Sequence, residues 1–159
     1  MMNFLLRIRQ ALFSPVQKIQ LYIQPKMIKG EHALLDLVDV LKEKHLTHYM
    51  IVTTPGFIKR GTLQPFFERL DQSNITYSIF HDVKPDPEIY IEEGCQGLIA
   101  IGGGSVIDCS KAALACVQSS HLDVKTVLET GRVSKTLPFF IAVPTTAGTG
   151  SEVTAGAVI

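Results

Sequence analysis

Two glycine-rich turns, GGGSVIDCSK at Gly102 to Lys111 and PTTAGTGSEVT at Pro144 to Thr154, each follow directly on a short apolar run, LIAI before the first and FFIAV before the second. An apolar run of that length closed by glycine reads as a buried strand, and the capping-type residues beyond it read as the start of a helix. A strand end that feeds a helix start is where an α/β sheet holds phosphates, because the first N–H groups of a helix have no partner within it. Two such turns in one chain therefore point to a parallel sheet with a ligand cleft at its carboxyl edge.

Upstream of the turns, strand and helix patterns alternate. Leu34, Leu37, Val38 and Leu41 recur at i, i+3, i+4, i+7 within Glu31 to Lys44 and predict a helix, and the β-rich run His48 to Thr54 follows it. Leu63, Phe66, Phe67 and Leu70 repeat the helical spacing, with Pro65 tolerable only in the first turn, and ITYSIF at 75–80 reads as the next strand. Asp86 and Pro87 form an N-cap and N1 pair opening a short helix that Gly94 can end. A strand at Leu98 to Ile101, a helix from Ser105 to about Val117 and a strand at Pro138 to Val143 complete the series. This order predicts an α/β fold, a Rossmann-like, mostly parallel sheet with flanking helices. Residues 1–24 are expected to be an N-terminal extension or edge segment, and 25–159 a nucleotide-binding α/β domain. No repeat, low-complexity tract or interdomain linker interrupts it.

Composition narrows the ligand. Lys plus Arg equals Asp plus Glu at 15 each, so net charge offers no reason to expect nucleic acid or an anionic membrane as partner. The apolar N-terminus, MMNFLLRIRQALF, carries Arg7 and Arg9, which interrupt a secretory core, and no run approaches the roughly 18 apolar residues a bilayer span requires. Cys95, Cys109 and Cys116 are an odd set of 3 without a CxxC pair, which suits a reducing compartment and predicts a cytoplasmic protein. A small molecule is the expected ligand.

Each turn also has a plain structural reading. The first does not follow the strict GxGxxG fingerprint, since Ile107 stands where the last glycine belongs. Ser105 with Asp108, and Thr149 with Glu152, have the S/T-x-x-D/E spacing of capping boxes. Capping does not explain why two strand ends should each carry a glycine-rich, hydroxyl-rich turn; a shared cleft does. The 5 histidines, His32, His45, His48, His81 and His121, form no metal-ligand pattern, and Cys109 and Cys116 read as packing residues.

GGGSVIDCSKA together with FFIAVPTTAGTGSEVT resembles the iron-containing (group III) alcohol dehydrogenase family, with the earlier IVTT and VKPDPE segments in the family's order. Glycerol dehydrogenase and dehydroquinate synthase share the fold and a GGG turn but lack AGTGSEVT; an enzyme of their kind is one alternative, and a non-catalytic nucleotide-binding fragment the other. The resemblance implies an N-terminal nucleotide-binding domain, a helical C-terminal domain absent from this chain, and a divalent metal, usually iron, held between them. It implies that Gly103, Gly104 and Ser105 meet the pyrophosphate of NAD or NADP, and that Thr145, Thr146, Thr149 and Thr154 line the phosphate, ribose and nicotinamide side. Asp108 would repel a pyrophosphate and is expected toward the nicotinamide or as a cap. The family's aspartate after IVT is Thr54 here; with Lys59 and Arg60 nearby this predicts that NADP is tolerated or preferred. Asp86 replaces the asparagine of a segment on the adenine side. No residue matches the family's metal ligands, one aspartate and three histidines, so no catalytic or metal residue is assigned. The activity implied for the complete enzyme, expected as a homo-oligomer, is hydride transfer between a nicotinamide cofactor and a primary alcohol or aldehyde. The chain alone is expected to be inactive.

Overall fold

The computed structural model describes residues 26–81, 93–118 and 139–153. Its elements run α1 (Ala33–Glu43), β1 (His48–Val52), α2 (Pro55–Arg60), α3 (Gln64–Gln72), β2 (Thr76–Phe80), β3 (Gly97–Gly102), α4 (Gly104–Gln118) and β4 (Phe139–Pro144). The four strands form one sheet in the order β2-β1-β3-β4, every pair parallel.

Alternation along the central strands explains how one sheet carries two cores. Tyr49 and Ile51 of β1 and Ile99 and Ile101 of β3 face the side covered by α1 and α3, where Leu37, Val38, Leu41, Phe66 and Leu70 bury against them. Met50, Val52, Leu98 and Ala100 face the other side, where Val106, Ile107 and Leu114 of α4 cover them. A strand buried on both faces has no polar side, which is why LIAI and YMIV read as unbroken apolar runs. The edges differ: β2 is exposed or half-buried throughout, and β4 is half-buried up to Pro144.

Helix ends follow local chemistry. The backbone of α1 gives way at His45 (φ 55°) and that of α3 at Asn74 (φ 55°), while α2 has Pro55 in its first turn and closes at Gly61 (φ 65°). The left-handed conformation costs asparagine little and glycine nothing. Several boundaries depart from the sequence reading. β1 stops at Val52 rather than Thr54, β2 begins at Thr76 rather than Ile75, β3 extends to Gly97 and Gly102, β4 ends at Pro144 rather than Val143, and α4 begins at Gly104, ahead of Ser105; α2 has no counterpart in that reading. The expected helix at Asp86–Pro87 and the N-terminal extension lie outside the described residues.

Candidate functional site

In the order β2-β1-β3-β4 the chain passes from β1 to β2 on one side and later places β3 on the other, so the sheet has its switch point between β1 and β3. Connections leave that point in opposite directions and open a crevice at the carboxyl ends of the strands, the place where open α/β sheets bind ligands. Thr53 and Thr54 follow β1 there, Gly103 to Ser105 follow β3, and Thr145 and Thr146 follow β4.

Strand register brings the two glycine turns together. Gly102 and Pro144 are ladder partners at the ends of β3 and β4, and the next residue continues the contact, Thr145 N–H donating to the Gly102 carbonyl at 2.9 Å. A Cβ on Gly103 would lie 3.2 Å from Thr146 Oγ1; one on Gly104 would lie 3.0 Å from Ser151 Oγ and 3.3 Å from Thr149 Cβ. Side chains of the second turn thus occupy the space that the glycines of the first leave free. Gly102 serves another contact, since its Cβ would stand 2.5 Å from Val106 Cγ2 and push α4 off the strand. Gly148 (φ 88°) and Gly150 (φ 65°) let the second turn fold back to make this approach.

The first turn opens α4 with its own backbone. The Gly103 carbonyl accepts from Val106 N–H at 3.1 Å and from Ile107 N–H at 3.2 Å, so Gly103 occupies the cap position and Ser105 lies one residue inside the helix. The capping box expected between Ser105 and Asp108 therefore does not form. In its place, Asp108 accepts a hydrogen bond from Lys111 Nζ at 3.1 Å, with side chains only 9% and 15% exposed, and so has a counter-charge of its own. The second box, expected between Thr149 and Glu152, is not seen either: Thr149 Oγ1 accepts from Ser151 N–H instead, in a long contact of 3.5 Å, and Glu152 Oε2 is buried with no hydrogen-bond partner among the described residues.

At the cleft, the N–H groups ahead of Val106 have no carbonyl within α4 to donate to and sit at the positive end of a 15-residue helix. Ser105, Thr145, Thr146 and Thr149 are exposed around them, and Thr54 is half-buried at the end of β1. Asp86 and Thr154 lie outside the described residues. Two residues went unread in the sequence. Ser151 is buried against Gly104, and its place inside AGTGSEVT was the only signal. Thr53 is fully buried, and a β-branched residue at the end of a β-rich run announces nothing beyond strand.

Among the described residues no group of three or more His, Cys, Asp or Glu side chains comes together, so these residues supply no metal-binding site. No helix among them is long and apolar enough to cross a membrane. Burial pushes the Cys95 thiol up to about 11, with Glu93 adding to the shift, and raises Cys109 as well. Neither thiol is primed as a nucleophile.

The model of the iron-containing alcohol dehydrogenase family matches residues 24–159. The chain is 35% identical to choline dehydrogenase of Bacillus subtilis over 156 residues, covering 91% of this chain and 39% of that protein. It is 34% identical to alcohol dehydrogenase 4 of Schizosaccharomyces pombe over 149 residues, covering 87% of this chain and 35% of that one. Among solved structures it is similar to sulfoacetaldehyde reductase of Bifidobacterium kashiwanohense in complex with NAD+, with a TM-score of 0.71 and 30% identity over 83% of this chain and 37% of that chain. The chain belongs to the iron-containing alcohol dehydrogenase family and spans less than two-fifths of the length of these relatives.

Proposed function

We propose that this chain is the nicotinamide-cofactor domain of a metal-dependent oxidoreductase that interconverts a primary alcohol and an aldehyde. The observation that supports this best is the meeting of the two glycine turns at the ends of β3 and β4, beside the switch point, where Thr146, Thr149 and Ser151 close on Gly103 and Gly104. The residues present suit a dinucleotide. The N–H groups of Gly104 and Ser105 would donate to the pyrophosphate, and the hydroxyls of Ser105, Thr145, Thr146 and Thr149 would offer further donors and acceptors along it. Asp108 does not oppose the anion, because Lys111 balances its charge. Bound NAD(P) supplies the carrier that accepts or gives the hydride. This chain's share is to hold that carrier in place and orient it, which lowers the entropic part of the barrier. The metal implied by the family would be held by residues other than those described, the complete enzyme is a homo-oligomer, and the buried cysteines suit the cytoplasm.

A preference within this reading rests on Arg60. Its guanidinium folds back over Gly56, with Nη1 3.1 Å from where a Cβ would be, and stacks 5.2 Å from the Phe57 ring centroid. That places a cation close to Thr54, a residue with no carboxylate of its own to repel a 2′-phosphate, and supports NADP as the tighter ligand. Calorimetric titration of the full chain with ADP-ribose, NADH and NADPH tests both parts. Saturable binding of ADP-ribose is expected, with NADPH at least as tight as NADH. Failure of all three would sink the cofactor assignment, and NADH binding at least tenfold tighter than NADPH would sink the preference alone.

A further inference from the structure

The first glycine turn is aimed by bonds on both of its sides. On one side the Gly102 carbonyl accepts from Thr145 N–H of the neighbouring turn at 2.9 Å. On the other, the preceding carbonyl, that of Ile101, accepts from Thr53 Oγ1, also at 2.9 Å. The β1–β3 ladder ends at Val52 and Ala100, so the Thr53 hydroxyl carries the tie between these strands one residue further, where backbone pairing has stopped. Thr53 is fully buried and its own N–H donates to the Phe80 carbonyl, which joins β2 to the same point. One residue thus links three strand ends at the switch point, its hydroxyl reaching β3 a single residue ahead of the Gly102–Gly104 turn and its backbone N–H reaching β2.

We infer that Thr53 is a positioning residue for the cofactor: it touches no phosphate, and its hydrogen bond to Ile101 fixes the direction in which the first turn of α4 presents its N–H groups. The inference rests on the cofactor reading above. Valine keeps the shape and β-branching of threonine but removes the hydroxyl, so the Ile101 carbonyl loses its bond in a site closed to water. Serine keeps the hydroxyl and drops a methyl.

Three forms of the full chain separate this role from general weakening: Thr53→Val, Thr53→Ser, and Leu70→Ala, a core change on α3 away from the turns. Thr53→Val is expected to weaken NADH binding about tenfold, Thr53→Ser to restore it to within about threefold of the unaltered chain, and Leu70→Ala to leave affinity unchanged well below its melting point. Amide exchange without cofactor gives a second readout. Thr145 N–H, bonded to Gly102, should exchange about tenfold faster in Thr53→Val and not in Thr53→Ser. NADH affinity in Thr53→Val within twofold of the unaltered chain would overturn the inference, as would equal losses in Thr53→Val and Leu70→Ala. If the unaltered chain binds no NADH, the cofactor reading fails instead, and unchanged Thr145 exchange in Thr53→Val then overturns the tie itself.

Discussion

At the residue scale, Asp108 shows how a side chain that looks wrong for its neighbourhood is made compatible with it. A lone carboxylate four residues into a helix that faces a pyrophosphate would oppose the ligand; Lys111 one turn on removes the conflict and is itself nearly buried. Buried pairs of this kind contribute modestly when intact but cost a great deal when broken, because the survivor stays charged and out of water. Lys111→Met should therefore lower stability by about 3 kcal/mol in urea unfolding, whereas a change under about 1 kcal/mol would mean that the pair matters little. Cys95 supplies a pH dependence. Its thiol titrates near 11 in the folded chain against an ordinary value near 9, so the folded form holds a proton that the unfolded form has released across that interval. The contribution is complete below the ordinary thiol value and is lost as pH rises through the folded one. Urea midpoints should fall on the alkaline side of about pH 9, and Cys95→Ala should flatten the fall; parallel curves would remove Cys95 as its cause.

At the element scale, the contact of α4 with β3 depends on Gly102. A methyl there would meet Val106 Cγ2 at 2.5 Å, within the helix's first turn, and the helix would have to move outward. Gly102→Ala should cost about 1–3 kcal/mol, and adding Val106→Ala should recover part of that loss, since the second change removes Cγ2, the nearest atom in the way, and leaves Cβ at 2.7 Å. Strict additivity of the two changes would show that the clash is relieved elsewhere. Elements with a buried face were legible in sequence: Leu37, Val38 and Leu41 mark α1 by their period, and LIAI marks β3 by its continuity. By contrast, α2 was not legible, because no residue of its 6 is buried and only Pro55 and Gly61 mark its ends. The capping boxes misled at α4 because the Gly103 carbonyl starts the helix without help from a hydroxyl. The strand run was read two residues too long at Thr53 and Thr54 because a side-chain bond to Ile101 replaces the ladder there, a substitution that β-propensity does not reveal.

At the scale of the whole molecule, the candidate site is a product of strand order and register. Each turn was visible in the chain, yet their meeting depends on Gly102 pairing with Pro144 and on the switch point between β1 and β3. Ser151 escaped notice for that reason: its neighbour Gly104 is distant in sequence and adjacent only in the fold. The same geometry makes the central claim, that the joined turns form the cofactor site, open to a direct test. Gly104→Val would drive a branched side chain into Ser151 Oγ at 3.0 Å and Thr149 Cβ at 3.3 Å, separating the turns at the mouth of the cleft. The decisive measurement is a fluorescence titration of NADH into the full 159-residue chain and into Gly104→Val, with circular dichroism to show that both are folded. Saturable binding by the unaltered chain, weakened at least about thirtyfold in folded Gly104→Val, is the predicted result. Equal affinity of the two folded chains for NADH would contradict the account.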